Sequence, residues 1–339
     1  MSLDKLGTRR TLPFELDDIY KRLRDLENRR TRIRPITLSG GAPAPAAMGA
    51  GIFASYARYF TDPPPLITIP YAIYEAYYPT PNISAIDENG YLWIVSYYPS
   101  APGKETAIFF KETDTGGLET KLEYEYDVDA QGYPTSTPGR VLQIIFDKQG
   151  RFYAHTLVGY YHSNPPEHHY IWSLGTSTDP TVSSESEYEY VSPSTYQRLY
   201  GLAVLSEGSF FMALIQNSDD GDQQTRSAFY CPNYDVEMIT PYMRDPDPRR
   251  FGATDLDWLA AFSTDYDSLM FCKQEKVHMT YFPYALAYWD GRICLNPKTG
   301  KLCAIAQDQR YNPDDSDPYN AYRTISVYTV NDAYLPQSG

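Results

Sequence analysis

The stretch Ser84-Ala-Ile-Asp-Glu-Asn-Gly-Tyr-Leu-Trp-Ile-Val-Ser-Tyr-Tyr98 decides the fold. It reads as a short apolar run, an acidic turn ending in Gly90, and a second apolar run rich in Tyr and Trp, the pattern of a tight β-hairpin. The chain writes it again as Ile144-Ile-Phe-Asp-Lys-Gln-Gly-Arg-Phe-Tyr-Ala154 and as Ala203-Val-Leu-Ser-Glu-Gly-Ser-Phe-Phe-Met-Ala-Leu214. The turn glycines Gly90, Gly150 and Gly208 stand 60 and 58 residues apart. A recurring spacing with a hairpin inside each unit marks a repeat architecture.

The remainder of each unit recurs too. Thr106–Lys111, His169–Ser173 and Arg226–Tyr230 follow as third strands, while Leu122–Tyr126 and Ser186–Tyr190 alternate Glu with Tyr as a solvent-facing fourth strand would. Four strands per unit, with a Gly turn between the first two, predict an all-β chain built as a β-propeller. Further units are expected at 254–284, where the pattern is degraded, and at 285–330. The expected count is five blades, or six if residues 52–78 contribute strands. In the last unit Asn296-Pro-Lys-Thr-Gly300 is a hairpin loop that places Cys294 opposite Cys303, two core thiols expected to be reduced.

Composition agrees. The 339 residues include 33 Tyr, 27 Pro and 21 Gly, a balance that favours pleated strands and many turns over long helices. The net charge is -14, yet residues 1–35 carry ten Lys or Arg against six Asp or Glu. An acidic body repels phosphates, which argues against nucleic acid as its partner; the basic head could serve as a nucleic-acid arm, but its charges alternate with an apolar stripe. Neither a long apolar run nor a signal peptide is read, so membrane insertion and signal-peptide export are not expected. The four cysteines lack paired spacing, which argues against structural zinc.

Residues 13–32 predict a helix. Pro13 suits a first position, acidic residues start it, arginines crowd its end and Pro35 stops it. Leu16, Ile19, Leu23 and Leu26 form a seam that fits either a short coiled coil or a helix lying on its own domain. The Gly-, Ala- and Pro-rich segment that follows favours a detached, self-associating helix. The expected division is therefore a helical anchor over 1–38, a linker over 39–51 and a propeller over 52–339.

Candidate chemistry is sparse. A propeller hydrolase needs two facing carboxylates. Of Asp87, Asp147, Glu207, Asp255 and Asp257, the first two read as turn caps, whereas Asp255 and Asp257 alternate in a strand-like run. His162, Glu167, His168 and His169 form a possible zinc or nickel set, against which stands an ordinary polar loop in which adjacent His168 and His169 point apart. Asn217, Asp219 and Asp222 partly match a calcium loop, although Ala228 stands where its last carboxylate belongs, and the run Asn312–Asp317 matches less well. No phosphate-loop, dinucleotide, nucleophile-elbow or HExxH motif occurs, and no cofactor is expected. The pairs Tyr77-Tyr78, Tyr97-Tyr98 and Tyr160-Tyr161 end strands at loops, either as a recognition surface or as strand-end packing.

The order of parts, a helix bearing Leu16, Ile19, Leu23 and Leu26, a Gly-Ala-Pro hinge and a large Tyr-rich β domain, resembles virion appendage proteins of tailed bacteriophages. The resemblance implies a trimer or other homo-oligomer, assembly in the host cytoplasm into a virion, and contact with neighbouring virion proteins or a host-surface glycan or protein. The leading expectation is thus a non-enzymatic virion structural protein. The alternatives are a propeller glycoside hydrolase or lyase acting on surface polysaccharide, and a cytosolic scaffold propeller.

Overall fold

Twenty strands, among the described residues of the computed structural model, pair into five antiparallel sheets of four. The described residues are 66–77, 82–159, 167–191, 197–204, 210–217, 224–231, 235–237, 251–254, 258–263, 268–273, 276–281, 292–307 and 324–336. The chain divides into two compact units, Met1–Ala47 and Met48–Gly339. All described residues belong to the second, so Leu16, Ile19, Leu23, Leu26 and the linker lie outside them.

The first sheet comprises β2 (Ser84–Ile86), β3 (Leu92–Ala101), β4 (Lys104–Glu112) and β5 (Leu118–Asp127). The second comprises β6 (Arg140–Phe146), β7 (Arg151–Val158), β8 (His168–Thr176) and β9 (Tyr188–Val191). The third comprises β10 (Gln197–Val204), β11 (Phe210–Asn217), β12 (Gln224–Cys231) and β13 (Asp235–Glu237). The fourth comprises β14 (Phe251–Ala253), β15 (Leu259–Ser263), β16 (Ser268–Lys273) and β17 (Lys276–Tyr281). The fifth comprises β18 (Arg292–Asn296), β19 (Lys301–Gln307) and β20 (Thr324–Thr329), with β1 (Leu66–Thr68) as its outermost strand.

Residues 52–78 do contribute a strand, but β1 pairs with β20, Ile67 opposite Ile325, and so completes the fifth sheet. Behind it the one described α-helix, α1 (Tyr71–Tyr77), leads into the first sheet. The first strands neighbour one another in a closed cycle, β2 beside β6, β6 beside β10, β10 beside β14, β14 beside β18 and β18 beside β2. The architecture is propeller-like.

Burial follows from that stacking. Strand side chains alternate between faces, and here both faces meet another sheet. Trp93 and Val95 face the second sheet, in a layer with Phe109, Phe146, Phe152 and Trp172. Leu92 and Ile94, one step away on β3, pack instead with Ile305, Ile325 and Ile67 of the fifth sheet. This is why Leu92–Ser96 is one continuous buried run. The outer strand β5 has no further sheet to meet and exposes Glu119, Lys121, Glu123 and Glu125, charges that keep an open edge from recruiting another strand.

The hairpin turns share one chemistry. Asp87 accepts bonds from the backbone N–H groups of Asn89 and Tyr91, and Asp147 does the same for Gln149 and Arg151. Gly90 and Gly150 occupy the fourth position at φ of 89° and 78°, which only glycine adopts without strain. The two turns are neighbours: a Cβ on Gly150 would lie 2.7 Å from Cδ of Glu88, and one on Gly90 would lie 2.9 Å from Cδ of Lys298 in the fifth sheet's turn. Gly208 lies outside the described residues.

Candidate functional site

Where the first strands meet, a cavity of about 30 Å³ is walled mainly by small and aliphatic residues, among them Ala85, Ile145, Leu202 and Gly252. One charge enters this wall. Arg292 opens β18, is 1% exposed, and donates from a guanidinium nitrogen to the carbonyl of Ile144 at 3.2 Å. That carbonyl belongs to β6, which does not adjoin β18 in the cycle, so the side chain reaches past β2 across the axis. Two residues on, Cys294 lines the same cavity; burial pushes its thiol up to about 11, although the nearby Arg292 pulls the other way. Its cross-strand partner Cys303 is buried and free as well, and its thiol is also pushed up by burial. Both are held as inert thiols.

Gln143 ties the second and third sheets together beside the axis. The side-chain amide donates to the carbonyl of Leu202 and its oxygen accepts from the Leu202 N–H at 2.8 Å, which extends backbone pairing from one sheet to the next.

A second polar group lies deeper in the same layer. His155 on β7 and His169 on β8 are 0% and 2% exposed, with Nε2 of the first 3.0 Å from Nδ1 of the second. Glu167 places a carboxylate oxygen 3.6 Å from the far nitrogen of His169. Burial, reinforced by the neighbouring imidazole, holds the His155 pKa well below the usual histidine value. Of the proposed metal set, the structure thus brings together Glu167 and His169. His168 points to the opposite face, where it meets Glu189 at 2.8 Å, and His162 lies outside the described residues. Among the described residues no group of three or more ligating side chains is arranged to hold a metal.

The third cluster joins the first two sheets. Arg140, which opens β6, contacts one Glu105 oxygen through two nitrogens, 2.7 and 3.2 Å away, and Tyr126 donates to that same oxygen. Its guanidinium also lies 5.8 Å from the Tyr97 ring centre. Burial first, then the bond to Glu105, raises the Tyr126 pKa, so this phenol stays protonated.

The described tyrosines of the expected recognition set are half-buried. Tyr97 donates its hydroxyl to the Val141 carbonyl, and Tyr77 and Tyr98 pack ring to ring at 5.2 Å over the core between the fifth and first sheets. Tyr78, Tyr160, Tyr161, Asp219, Asp222, Asp255 and Asp257 lie outside the described residues, as do the side chain of Asn217 and the segment 312–317. The residues flanking the aspartate pair are described: Thr254 and Trp258 bond to each other across the end of the β14–β15 ladder.

Asp87 is a cap with an added ion pair. Its second oxygen meets Nζ of Lys111 at 2.8 Å and Nε1 of Trp93 at 3.1 Å. Sequence reading missed Arg292, Gln143, His155 and Arg140. The arginines had a visible signal, since each stands at the head of a run that reads as a first strand.

No protein-family model matches the chain, and no curated protein sequence does. Solved structures are similar in fold. A gluconolactonase from Xanthomonas campestris is 10% identical, with 81% of this chain and 92% of that one covered at a TM-score of 0.38. An endo-arabinase from Bacteroides thetaiotaomicron is 9% identical, with 80% and 99% covered at 0.42. The polysaccharide lyase Uly1 is 11% identical, with 75% and 58% covered at 0.40. These neighbours are enzymes and not phage tail proteins. That finding overturns the expectation of a non-enzymatic virion structural protein.

Proposed function

We propose that the five sheets are the blades of one closed five-bladed propeller, and that the chain is a glycoside hydrolase or lyase acting on polysaccharide at the axis where the first strands converge. The observation that carries this reading is Arg292. Burying a guanidinium costs several kcal/mol unless something in the fold or a ligand compensates it. A wall that served packing alone would continue the Ala, Ile and Leu of its other strands. A charge kept at the point where all sheets converge, beside a concave space, is the arrangement by which a site fixes a polar substrate.

The β2–β3, β6–β7 and β18–β19 turns gather at one end of the axis, where Asp87, Asp147 and Asn296 cap backbone amides. Two chemistries fit a propeller axis: displacement between two carboxylates, or abstraction of the proton beside a uronate carboxylate whose charge a cation neutralises. Among the described residues of the cavity wall Arg292 is the cation that the second chemistry would use.

The test is depolymerisation by the purified full chain. Neutral and uronate polysaccharides are offered side by side, with hydrolysis read as new reducing ends and elimination as ultraviolet absorbance of the unsaturated product. Activity that disappears in Arg292→Met, with the folded state intact, supports the reading. Absence of both signals across the panel overturns it and passes the chain to the scaffold reading.

A further inference from the structure

The fifth sheet is where early and late strands meet, β1 lying against β20. Its inner hairpin carries two thiols that the proposed chemistry does not use. Cys294 on β18 stands directly opposite Cys303 on β19, and both are free. Residues paired in this way have Cα atoms about 4.5 to 5.5 Å apart, within the roughly 4.4 to 6.8 Å that a disulfide spans. The two belong to one buried layer, shared by the fifth and first sheets, with Ile86, Leu92 and Ile305.

We infer that Cys294 and Cys303 are a redox lock set during folding: under oxidising conditions they join as a cross-strand disulfide before the sheets close, and the completed fold then keeps whichever state was reached, bridged or free. The lock does not depend on any catalytic activity of the chain.

The chemistry is thiol–disulfide exchange with a small disulfide, oxidised glutathione. The thiolate of one cysteine attacks a glutathione sulfur, forms a mixed disulfide and releases one glutathione thiolate. The thiolate of the second cysteine attacks the protein sulfur of that mixed disulfide and releases the other glutathione. Two protein thiols are oxidised, one glutathione disulfide is reduced to two thiols, and the protons the cysteines lose are taken up by the departing thiolates. In the unfolded chain both steps are open, because the thiols are solvated and the loop from 294 to 303 is short.

Folding shuts this reaction off in two ways. The first is access. Cys294 is 4% and Cys303 0% exposed, and the cavity of about 30 Å³ that Cys294 lines has room for about two waters, far less than a tripeptide. The second is ionisation. Burial pushes the Cys294 thiol up to about 11, which leaves about a hundredfold less thiolate at neutral pH than an ordinary cysteine has, a deficit that greater nucleophilicity offsets only in part. A bridge, once formed, is sealed by the same walls.

The experiment unfolds the full chain in urea and refolds it in reduced or in oxidised glutathione. Free thiols are then blocked, and the protein is digested without reduction and mapped by mass. A peptide pair joining Cys294 to Cys303 is expected after oxidised refolding and not after reduced refolding, with a cooperative thermal melt in both states. Native reduced protein placed in the oxidised buffer should acquire the bridge at least about tenfold more slowly than the chain in urea, and native bridged protein should lose it to reduced glutathione with the same lag. Oxidised refolding that yields no such peptide pair, or that joins Cys231 or Cys272 in its place, would overturn the proposal. So would a bridged chain without a cooperative melt, or exchange as fast in the native protein as in urea.

Discussion

Nε2 of His155 stands 3.0 Å from Nδ1 of His169, with both rings sealed between sheets and Glu167 at the outer end of the pair. Burial first, then the neighbouring imidazole, favours the neutral form of His155. A proton added to His155 would put a charge into the apolar layer of Ile145, Tyr153, Ile171 and Leu202.

Stability should accordingly fall in acid. The unfolded chain binds a proton at this histidine near pH 6.5, whereas the folded chain, whose His155 pKa is lowered, does not. Protons are then taken up on unfolding, and stability decreases as pH falls below 6.5 until the folded-state pKa is reached. The slope from one such group is about 1.4 kcal/mol per pH unit. Urea midpoints between pH 7 and 5 measure it, and the neutral replacement His155→Gln should flatten the curve by that amount. Parallel curves for the two proteins would show that His155 is not held neutral.

The hairpin caps differ in what else they hold. Asp87 is fully buried and compensates Lys111, while Asp147 pairs with an arginine half exposed to solvent. Removing one member of a buried pair strands the other, at about 3 kcal/mol or more. Loss of turn bonds alone costs about 1 kcal/mol for each bond. Asp87→Ala should therefore destabilise clearly more than Asp147→Ala in denaturant unfolding. A larger effect at Asp147 would mean that the turn bonds, and not the Lys111 pair, dominate.

These caps explain which parts of the fold were legible in sequence. An Asp at the first position and a Gly at the fourth is a local code, readable at Asp87-Gly90 and Asp147-Gly150 because the bonds that cap the turn amides lie within four residues. The fourth sheet writes the same turn with Thr254, whose hydroxyl accepts from the Trp258 N–H at 3.1 Å, and without the Gly. Its pattern looked degraded because one cap had been exchanged for another. What the sequence hid was long-range. β1 is a strand of only three residues, directly after a run of prolines, and gains meaning only from β20. Arg292 looks like an ordinary strand residue until the chain brings Ile144, 148 positions away, to its guanidinium. His155 sits alone in an apolar run and meets its partner only across the β7–β8 ladder.

Two glycines separate backbone strain from crowding. Gly132 and Gly139 have φ of 85° and 82°, so an added Cβ costs each about 1 kcal/mol in the left-handed region. At Gly132 that Cβ meets nothing within 4 Å, but at Gly139 it would collide with the Leu157 carbonyl and stand 2.7 Å from Cγ2 of Val158. Gly139→Ala should exceed Gly132→Ala by about 2 kcal/mol, since backbone cannot yield as a side-chain tip does. Equal midpoints in chemical denaturation would mean that β7 shifts freely.

The strongest test of closure is Ile67. β1 has only three residues, yet it covers the edge of β20, and Ile67 at 1% exposure packs into the layer shared by the fifth and first sheets, with Ile86, Leu92, Ile305 and Ile325. If β1 were an incidental strand on an otherwise complete ring, truncating Ile67 would cost no more than an exposed aliphatic does. If the first and last sheets depend on it, Ile67→Ala should lose about 2 to 4 kcal/mol, the range for a buried Ile reduced to Ala. Removing the segment through Pro70 should go further, because β20 would present an unpaired edge with apolar residues beside it, a template for association. Light scattering on that truncated chain should detect aggregates or higher oligomers. A monomer with an unchanged melting temperature would show that the ring does not need this strand.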